Sequence, residues 1–301
     1  MTIREVIQKS AGFLERHGVE SPRLQAEHLL GHVLKLPRLK LYLQFDRVLS
    51  EAELAPLREL VKRRAGREPL QHILGTANFG GLELKVNRHV LVPRPETELL
   101  AERAEEFLRV CSSRRKEAPS SAAQEVSLVT SAATVLDLGT GSGCLPIFLA
   151  GKHREARFVA VDSSPEALAV ARENAARHAV ADRIDFLSGD LFNPLPAGAQ
   201  FDLIVSNPPY IPTGEIATLQ SEVRDFDPHA ALDGGADGLD FCRRLAVEAP
   251  PFLRADGKLM VEFGDGQAGA LKKLFEDHMW IVEAVLDDYS RRARILIARR
   301  A

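Results

Sequence analysis

The sequence predicts an α/β protein with a doubly wound, mostly parallel sheet and a small all-helical domain at its N-terminus. From residue 133 onward, apolar strand-like runs alternate with helical patterns, the order that places helices on both faces of a parallel sheet. Before residue 76, apolar residues recur only at the three- and four-residue spacing of helices. We therefore expect a helical domain over 1–75, a β-hairpin linker over 76–92 and the α/β domain over 93–301.

The composition is that of a soluble chain large enough for this arrangement. The 301 residues are 45% hydrophobic and carry a formal net charge of −3. No apolar run is long enough to cross a membrane, and charges interrupt the N-terminus, so we expect a cytoplasmic protein with no membrane partner. The three cysteines lie far apart and form no C-x-x-C pair, and we predict neither disulfides nor a metal site.

The helical domain is marked by its helix starts. Thr2 and Ser50 each precede a glutamate by three residues, as in a capping box, and Pro22 fits the first turn of a helix reaching about Leu34. Residues 1–75 contain 13 Lys and Arg and 9 Asp and Glu, a net charge of +4, which leaves −7 for the remainder. This basic surface is either an ordinary solvated face or a docking face for an acidic or nucleic-acid-bound partner.

The linker is recognised by a change of apolar period to two. Apolar residues from Leu82 to Val86 alternate with polar ones after a Gly-Gly pair, which predicts a hairpin. The prolines of LVPRPE then precede a helix predicted to end near Val110. The polar stretch 112–127 has no apolar periodicity and predicts a mobile surface loop.

Seven strand-like segments build the predicted sheet of the α/β domain. They are TVLDL (134–138), RFVAVD (157–162), IDFLSGD (184–190), FDLIVSN (201–207), KLMVEFG (258–264), WIVEAVLDD (280–288) and RRARILIARR (291–300). Helices are predicted over CLPIFLA, PEALAVARENAARHA and a segment from about Gln267 to Asp277, while 208–257 appears irregular. The last strand follows its predecessor too closely for a crossover helix, so we expect it to run antiparallel.

A glycine-rich loop, DLGTGSG, follows the first strand and opens a helix. Glycines at this place let a ligand approach backbone amides without a Cβ in the way. Cys144 stands where a dinucleotide fingerprint needs its last glycine, so the loop is G-x-G-x-G rather than G-x-G-x-x-G. We expect the loop to bind a nucleoside-containing cofactor through Gly139, Thr140, Gly141, Ser142 and Gly143.

Carboxylates end the next two strands. Asp162 can accept hydrogen bonds from two ribose hydroxyls, a role compatible with capping the following helix. Asp190 can accept from an adenine amine while Leu191 and Phe192 pack against the ring. We therefore expect Asp162, Asp190 and Leu191 to complete the cofactor site.

Residues 204–211, IVSNPPYI, end the fourth strand with an asparagine, two prolines and a tyrosine. With the glycine loop and Asp162, this stretch resembles the N-P-P-Y motif of class I S-adenosylmethionine-dependent methyltransferases that act on planar nitrogens. The resemblance implies a Rossmann-like fold, with S-adenosylmethionine as the cofactor and Asn207 close to it.

The motif suits a poor nucleophile. An amide or aniline-type nitrogen has a delocalised lone pair, and the Asn207 side-chain oxygen and Pro208 carbonyl can each accept one N–H, which aims the lone pair at the methyl group. Positive charge grows on the nitrogen as the methyl arrives, so these bonds strengthen in the transition state. Pro208 and Pro209 fix the carbonyl direction, and Tyr210 can pack on the flat group. We assign catalysis to Asn207, Pro208 and Tyr210, and substrate binding to all four residues.

Two longer segments tighten the resemblance. Residues 67–100 and 222–245 are similar to corresponding segments of bacterial release-factor N5-glutamine methyltransferases, and the likeness covers nearly the whole chain. It implies that the substrate is the glutamine of the Gly-Gly-Gln motif in peptide chain release factors and that the helical domain helps to recognise the factor. It also implies that Arg94, Glu96 and Thr97 line the substrate site. Two residues depart from the family pattern: Leu191, an aromatic in some members, and Pro146, in place of a helix former.

Three other functions remain open. Glutamine methylation of a ribosomal protein requires the same chemistry. A nucleic-acid methyltransferase acting on adenine N6 also requires it, but such enzymes need a strongly basic groove or a recognition domain, and the catalytic part carries −7. We therefore expect no direct nucleic-acid substrate. A protein that binds the cofactor and docks partners without turnover would leave Asn207 idle.

Overall fold

A computed structural model of the chain describes residues 1–117 and 132–301. Its helices, in chain order, are α1 Ile3–Arg16, α2 Pro22–Leu34, α3 Arg38–Tyr42, α4 Glu51–Ala65, α5 Leu70–Leu74, α6 Pro95–Glu117, α7 Cys144–Lys152, α8 Pro165–Arg177, α9 Ser221–Arg224, α10 Asp240–Glu248 and α11 Ala268–Asp277. Its strands are β1 Thr76–Phe79, β2 Leu82–Lys85, β3 Thr134–Leu138, β4 Arg157–Asp162, β5 Ile184–Ser188, β6 Phe201–Ser206, β7 Leu253–Glu262, β8 Trp280–Asp287 and β9 Ala293–Arg300.

The chain forms two compact units. The first contains Met1–Thr76 and Leu219–Phe226, and the second contains Ala77–Thr218 and Asp227–Ala301. Helices α1 to α5 of the first unit enclose an apolar core. Helix α9 joins this unit through Glu222, which accepts hydrogen bonds from Arg64 and Arg67. A segment that follows the N-P-P-Y motif in sequence is thus part of the helical unit.

The predicted capping boxes are present at both helix starts. The Thr2 amide donates to the Glu5 carboxylate over 2.9 Å, and the Ser50 amide donates to Glu53 over 2.9 Å. Each pair satisfies an amide that the first turn of a helix leaves without an intrahelical partner. The sequence therefore locates the starts of α1 and α4.

The second unit is built on a seven-stranded sheet of order β5-β4-β3-β6-β7-β9-β8. The strands from β5 to β7 pair in parallel, and β9 pairs antiparallel with both β7 and β8. The predicted doubly wound sheet with an antiparallel last strand is confirmed. The strand order reverses beside β3, between β4 and β6, which opens a crevice at the carboxyl ends of these strands.

A buried asparagine bonds the hairpin of β1 and β2 to α8. Asn174 of α8 accepts from the Lys85 amide over 2.7 Å and donates to the Lys85 carbonyl over 3.0 Å. Its amide nitrogen also donates to the Ser142 carbonyl in the glycine loop over 2.9 Å. Asn174 therefore fixes both the hairpin and the glycine loop against α8.

Two helix predictions were wrong. Helix α6 continues to Glu117 instead of ending near Val110, and the arginine, lysine and glutamate residues at 114–117 have good intrinsic helix propensity. The rest of the predicted loop, 118–127, lies outside the described residues. The segment 208–257 is also less irregular than expected, since it contains α9 and the amphipathic helix α10, which buries Cys242 and Leu245. Within the described ranges, no helix has the length and apolarity to span a membrane.

We expect Asn174→Ala to lower the free energy of unfolding by about 3 kcal/mol, because it leaves three backbone groups without their partner. Chemical denaturation measures this change. The matched control is Glu173→Ala, which removes an exposed ion pair with Lys85 and should cost less than about 0.5 kcal/mol. Equal effects of the two substitutions would contradict the anchoring role of Asn174.

Candidate active site

The glycine loop lies at the carboxyl end of β3 and turns sharply into α7. Gly139, Gly141 and Gly143 all have positive φ, at +74°, +55° and +79°, a region that residues with a Cβ rarely adopt. A Cβ on either of the first two would meet no atom within 4 Å, whereas one on Gly143 would lie 2.9 Å from Ile147. Open space therefore lies over Gly139 and Gly141, and Gly143 serves close packing against α7.

The sequence predicted that a ligand approaches the amides of the glycine loop, but three of these amides already have protein partners. The amides of Gly139 and Thr140 both donate to the Val161 carbonyl, over 2.9 and 3.0 Å, and the Gly141 amide donates to Asp162 over 2.8 Å. These three donors are used to join the loop to the end of β4. The loop thus offers a ligand space above its glycines, and not these amides as free donors.

Asp162 shapes the loop as well as facing the crevice. One carboxylate oxygen accepts from the Gly141 amide, and the other accepts from the Ser164 amide over 2.9 Å. The capping of α8 is performed by Ser164, whose hydroxyl accepts from Ala167 over 3.1 Å. Each Asp162 oxygen accepts one such bond and retains acceptor capacity for a hydroxyl group.

The two ends of the Asn207 side-chain amide differ in their hydrogen bonding. Its nitrogen donates to the Thr97 hydroxyl over 2.8 Å, and the Thr97 hydroxyl donates to the Glu262 carboxylate over 2.8 Å. Its oxygen is buried and has no hydrogen-bond partner among the described residues. A buried amide oxygen without a partner is costly, so this atom is a strong candidate for accepting a ligand N–H.

The rest of the N-P-P-Y turn is fixed by its neighbours. Gln267 donates to the Tyr210 carbonyl over 2.8 Å, and the Ile211 amide donates to the Leu232 carbonyl over 3.0 Å. The Tyr210 hydroxyl lies 3.5 Å from Glu262, and burial followed by the charge of Glu262 raises the pKa of Tyr210. No described residue donates to the Pro208 carbonyl. Neither predicted acceptor of the motif thus has a hydrogen-bond partner among the described residues.

Glu262 is the buried carboxylate behind the motif. It ends β7, next to β6, and its side chain is fully buried. Burial raises the pKa of Glu262 to about 7; the hydrogen bond from Thr97 opposes this shift and the charge of Glu96 adds to it. The sequence analysis missed Glu262, although a carboxylate in the apolar run KLMVEFG was a visible signal.

A cavity of about 410 Å³ brings most of the predicted site together. Of the predicted cofactor and substrate residues, it is lined by Arg94, Thr97, Gly139, Thr140, Gly141, Ser142, Asp162, Asp190, Leu191, Asn207 and Pro209. The cavity lies at the carboxyl ends of β3, β4 and β6, where doubly wound sheets bind their ligands. Among the described residues, the predicted members that do not line it are Glu96, Gly143, Pro208 and Tyr210.

The structure departs in two details from the adenine-binding end of the site that the sequence predicted. Both oxygens of Asp190 accept from Arg244 over 2.8 Å, so its carboxylate is already paired with a cation. Phe192 is buried and stacks on Phe252 with ring centroids 4.8 Å apart, and it faces the core instead of the cavity. Leu191 lines the cavity with a positive φ of +49°. The apolar wall here comes from Leu191, with Phe241 of α10 as a lining residue that sequence reasoning missed.

A buried acid also lies beside the glycine loop. Asp137 is the next-to-last residue of β3 and is 1% exposed. Burial raises the pKa of Asp137 to about 7; the Thr140 hydroxyl opposes the shift and the charge of Asp162 adds to it. Burial, with the charges of Asp137 and Glu262, raises the pKa of the Cys144 thiol to about 12, so this cysteine is no nucleophile at neutral pH.

Arg94 has a partner that the sequence analysis did not identify. Its guanidinium donates to Asp227 over 2.7 Å, and the Asp227 side chain is 1% exposed. Burial raises the pKa of Asp227 to about 6, and the charge of Arg94 opposes this shift. The pair holds the start of α6, which carries Thr97, to the stretch of the second unit that begins at Asp227.

Comparisons with known proteins agree with this architecture. A family model described as the PrmC N-terminal domain matches residues 5–75, and one described as the methyltransferase small domain matches 122–223. The release factor glutamine methyltransferase of Geobacter sulfurreducens is 47% identical over 274 residues, covering 91% of this chain and 88% of that protein. The one from Chlorobaculum tepidum is 40% identical over 296 residues, covering 97% and 95%.

One solved structure adds support for the fold. The hMettl16 catalytic domain, crystallised in complex with the MAT2A 3'UTR hairpin 6, aligns with a TM-score of 0.53 at 16% identity. The alignment covers 79% of this chain and 81% of that chain. At this identity the likeness shows a shared fold.

We expect Arg94→Met to lower the free energy of unfolding at pH 8 by about 2 kcal/mol, because it leaves the buried Asp227 carboxylate without its cation. The loss should shrink as the pH falls to about 6, since burial raises the pKa of Asp227 to about 6 and the protonated acid needs no partner. Denaturation at both pH values measures this. The control is Arg103→Met, which removes an exposed pair and should cost less than about 0.5 kcal/mol. A loss that stays constant with pH would rule out this explanation.

Proposed function

Because the chain belongs to the release factor glutamine methyltransferase family, we propose that its cavity binds a release-factor glutamine beside S-adenosylmethionine. The reaction is methylation of the glutamine side-chain nitrogen in release factors. We place the glutamine in the Gly-Gly-Gln motif and the new bond on N5. The observation that carries this assignment is the buried side-chain oxygen of Asn207, a cavity-lining residue; this oxygen has no hydrogen-bond partner among the described residues.

Asn207 and Pro208 orient the reacting nitrogen. The Asn207 oxygen accepts one N–H and the Pro208 carbonyl accepts the other, which leaves the nitrogen lone pair pointing away from both acceptors. No base is needed before methyl transfer, because the proton to be lost becomes acidic only when the nitrogen carries the methyl group. As positive charge develops on the nitrogen, the two hydrogen bonds strengthen, so they stabilise the transition state more than the ground state.

The cofactor residues fit a nucleoside with an attached cationic centre. S-adenosylmethionine supplies an electrophilic methyl group on a sulfonium. The space over Gly139 and Gly141 would admit it, Asp162 would accept from its ribose hydroxyls, and Leu191 would pack against its adenine. Asp190 is paired with Arg244, so contact with the adenine amine would use the remaining lone pairs of that carboxylate.

We infer that the helical unit contacts the release factor. This unit carries the exposed apolar side chains of Leu39, Leu43 and Val48, which are 72%, 84% and 69% exposed. Residues 1–75 also have a net charge of +4. Exposed apolar side chains are typical of a protein-docking surface, and the positive charge favours an acidic partner.

A nucleic-acid substrate is the second candidate, because an adenine amine poses the same chemical problem as an amide. Against it, the residues after position 75 carry a net charge of −7. A phosphate backbone requires a compensating basic surface for tight binding. We therefore propose that the enzyme acts on a protein and takes no nucleic-acid substrate.

The test is incubation with labelled S-adenosylmethionine and, separately, release factor, ribosomal protein and DNA, followed by mass mapping of the methyl group. We expect one methyl on the glutamine of Gly-Gly-Gln. Asn207→Ala should lower kcat by about 10²-fold or more while leaving the Kd for S-adenosylhomocysteine within about threefold. Labelling confined to DNA or to ribosomal protein, or near-normal kcat in the variant, would refute the proposal.

A further inference from the structure

An asparagine amide has two ends of nearly identical shape and opposite hydrogen-bonding character. If the NH2 end of Asn207 faced the substrate, two donors would meet, and the reacting nitrogen would lose one of its acceptors. Rotation by half a turn about the last side-chain bond exchanges the ends. The enzyme therefore needs a device that selects one orientation of this amide.

We propose that Glu262 and Thr97 are positioning residues that fix the oxygen of Asn207 toward the substrate; the inference rests on the proposed function. The contacts form a chain from the Asn207 nitrogen to the Thr97 hydroxyl, 2.8 Å, and from that hydroxyl to Glu262, 2.8 Å. Thr97 is 2% exposed and Glu262 is fully buried, so water does not compete for these bonds.

The donor and acceptor roles in these hydrogen bonds follow from counting their protons. An ionised carboxylate only accepts, so Thr97 must give its single hydroxyl proton to Glu262. The Thr97 oxygen then presents only lone pairs toward Asn207, and the amide must place its NH2 there. The Asn207 oxygen is consequently at the end of the amide away from Thr97, where no described residue bonds it, and Asn207 itself lines the cavity.

Protonation of Glu262 would remove this selection. A neutral carboxyl can donate to Thr97, whose own proton is then free to bind the Asn207 oxygen and turn the amide around. The charged and titratable groups around Glu262 are Glu96, Arg294, Tyr210 and Cys144. Burial raises the pKa of Glu262 to about 7, so the ionised and active form is lost as the pH falls through about 7.

The alternative is that Thr97 only fastens α6 to β7. A structural role predicts lower stability with unchanged chemistry in the surviving folded protein. A positioning role predicts a loss in kcat with little change in KM, because the second acceptor matters most when charge develops on the nitrogen. The two roles therefore differ in kinetics measured on folded protein.

The experiment compares Thr97→Val, Thr97→Ser and Glu262→Gln as full-length proteins. Thr97→Val keeps the shape and removes the hydroxyl, so we expect kcat to fall about 10²-fold with KM and the Kd for S-adenosylhomocysteine within about threefold. Thr97→Ser restores the hydroxyl and should recover kcat to within about threefold of the natural enzyme. Ser206→Ala is the matched control, since it removes a buried hydroxyl next to Asn207 that bonds only the Leu138 carbonyl.

Glu262→Gln tests which group donates in the hydrogen bond between Thr97 and residue 262. A glutamine amide can donate or accept, so Thr97 is no longer forced to donate, and we expect kcat to fall about tenfold. The natural enzyme should gain activity as the pH rises through about 7, and the variant should lack this dependence. Burial also raises the pKa of Asp137 to about 7 and the pKa of Asp227 to about 6. A pH dependence of kcat that persists in Glu262→Gln would belong to these two groups and would overturn the inference.

The outcomes separate this inference from the proposed function. If the natural enzyme fails to methylate release factors, the proposed function fails, and the variants are then compared on the acceptor that the enzyme does methylate. If Thr97→Val matches the natural kcat, or Thr97→Ser is no better than Thr97→Val, the positioning role is wrong whatever the substrate. Should Thr97→Val not fold, the kcat and pH profile of Glu262→Gln still decide.

Discussion

The orientation of the Asn207 side-chain amide is the constraint on which the active site depends. In the proposed reaction, acceptors hold both protons of a planar nitrogen, and these acceptors are one side-chain oxygen and one backbone carbonyl. The carbonyl of Pro208 is fixed by a rigid turn. The side-chain oxygen is not fixed by the motif itself, and its direction is set by Thr97 and Glu262 from other parts of the chain.

The fold explains how these parts meet. Ser206 and Val261 pair in neighbouring parallel strands, so Asn207 and Glu262 are the next residues at the same edge of the sheet. Helix α6 adds Thr97, and the Arg94–Asp227 ion pair ties the start of that helix to a later segment. The crevice opens beside β3, where the strand order reverses, so the glycine loop, Asp162 and Asn207 line one cavity.

Local patterns predicted much of this from the sequence alone. Strand and helix periodicity gave the sheet, and the glycine spacing and the N-P-P-Y motif gave most of the residues that line the cavity. The sequence could not reveal pairs separated by long stretches of chain, such as Arg94 with Asp227, Asp190 with Arg244 and Thr97 with Glu262. These depend on tertiary packing. The same limit explains Phe192, which faces the core because Phe252 packs against it.

The most direct measurement is a high-resolution crystal structure with S-adenosylhomocysteine and a Gly-Gly-Gln peptide. We expect the glutamine nitrogen within about 3.2 Å of both the Asn207 side-chain oxygen and the Pro208 carbonyl. The Asn207 nitrogen should remain bonded to Thr97. A glutamine nitrogen bound by other groups, or an Asn207 amide with its nitrogen toward the peptide, would contradict the account.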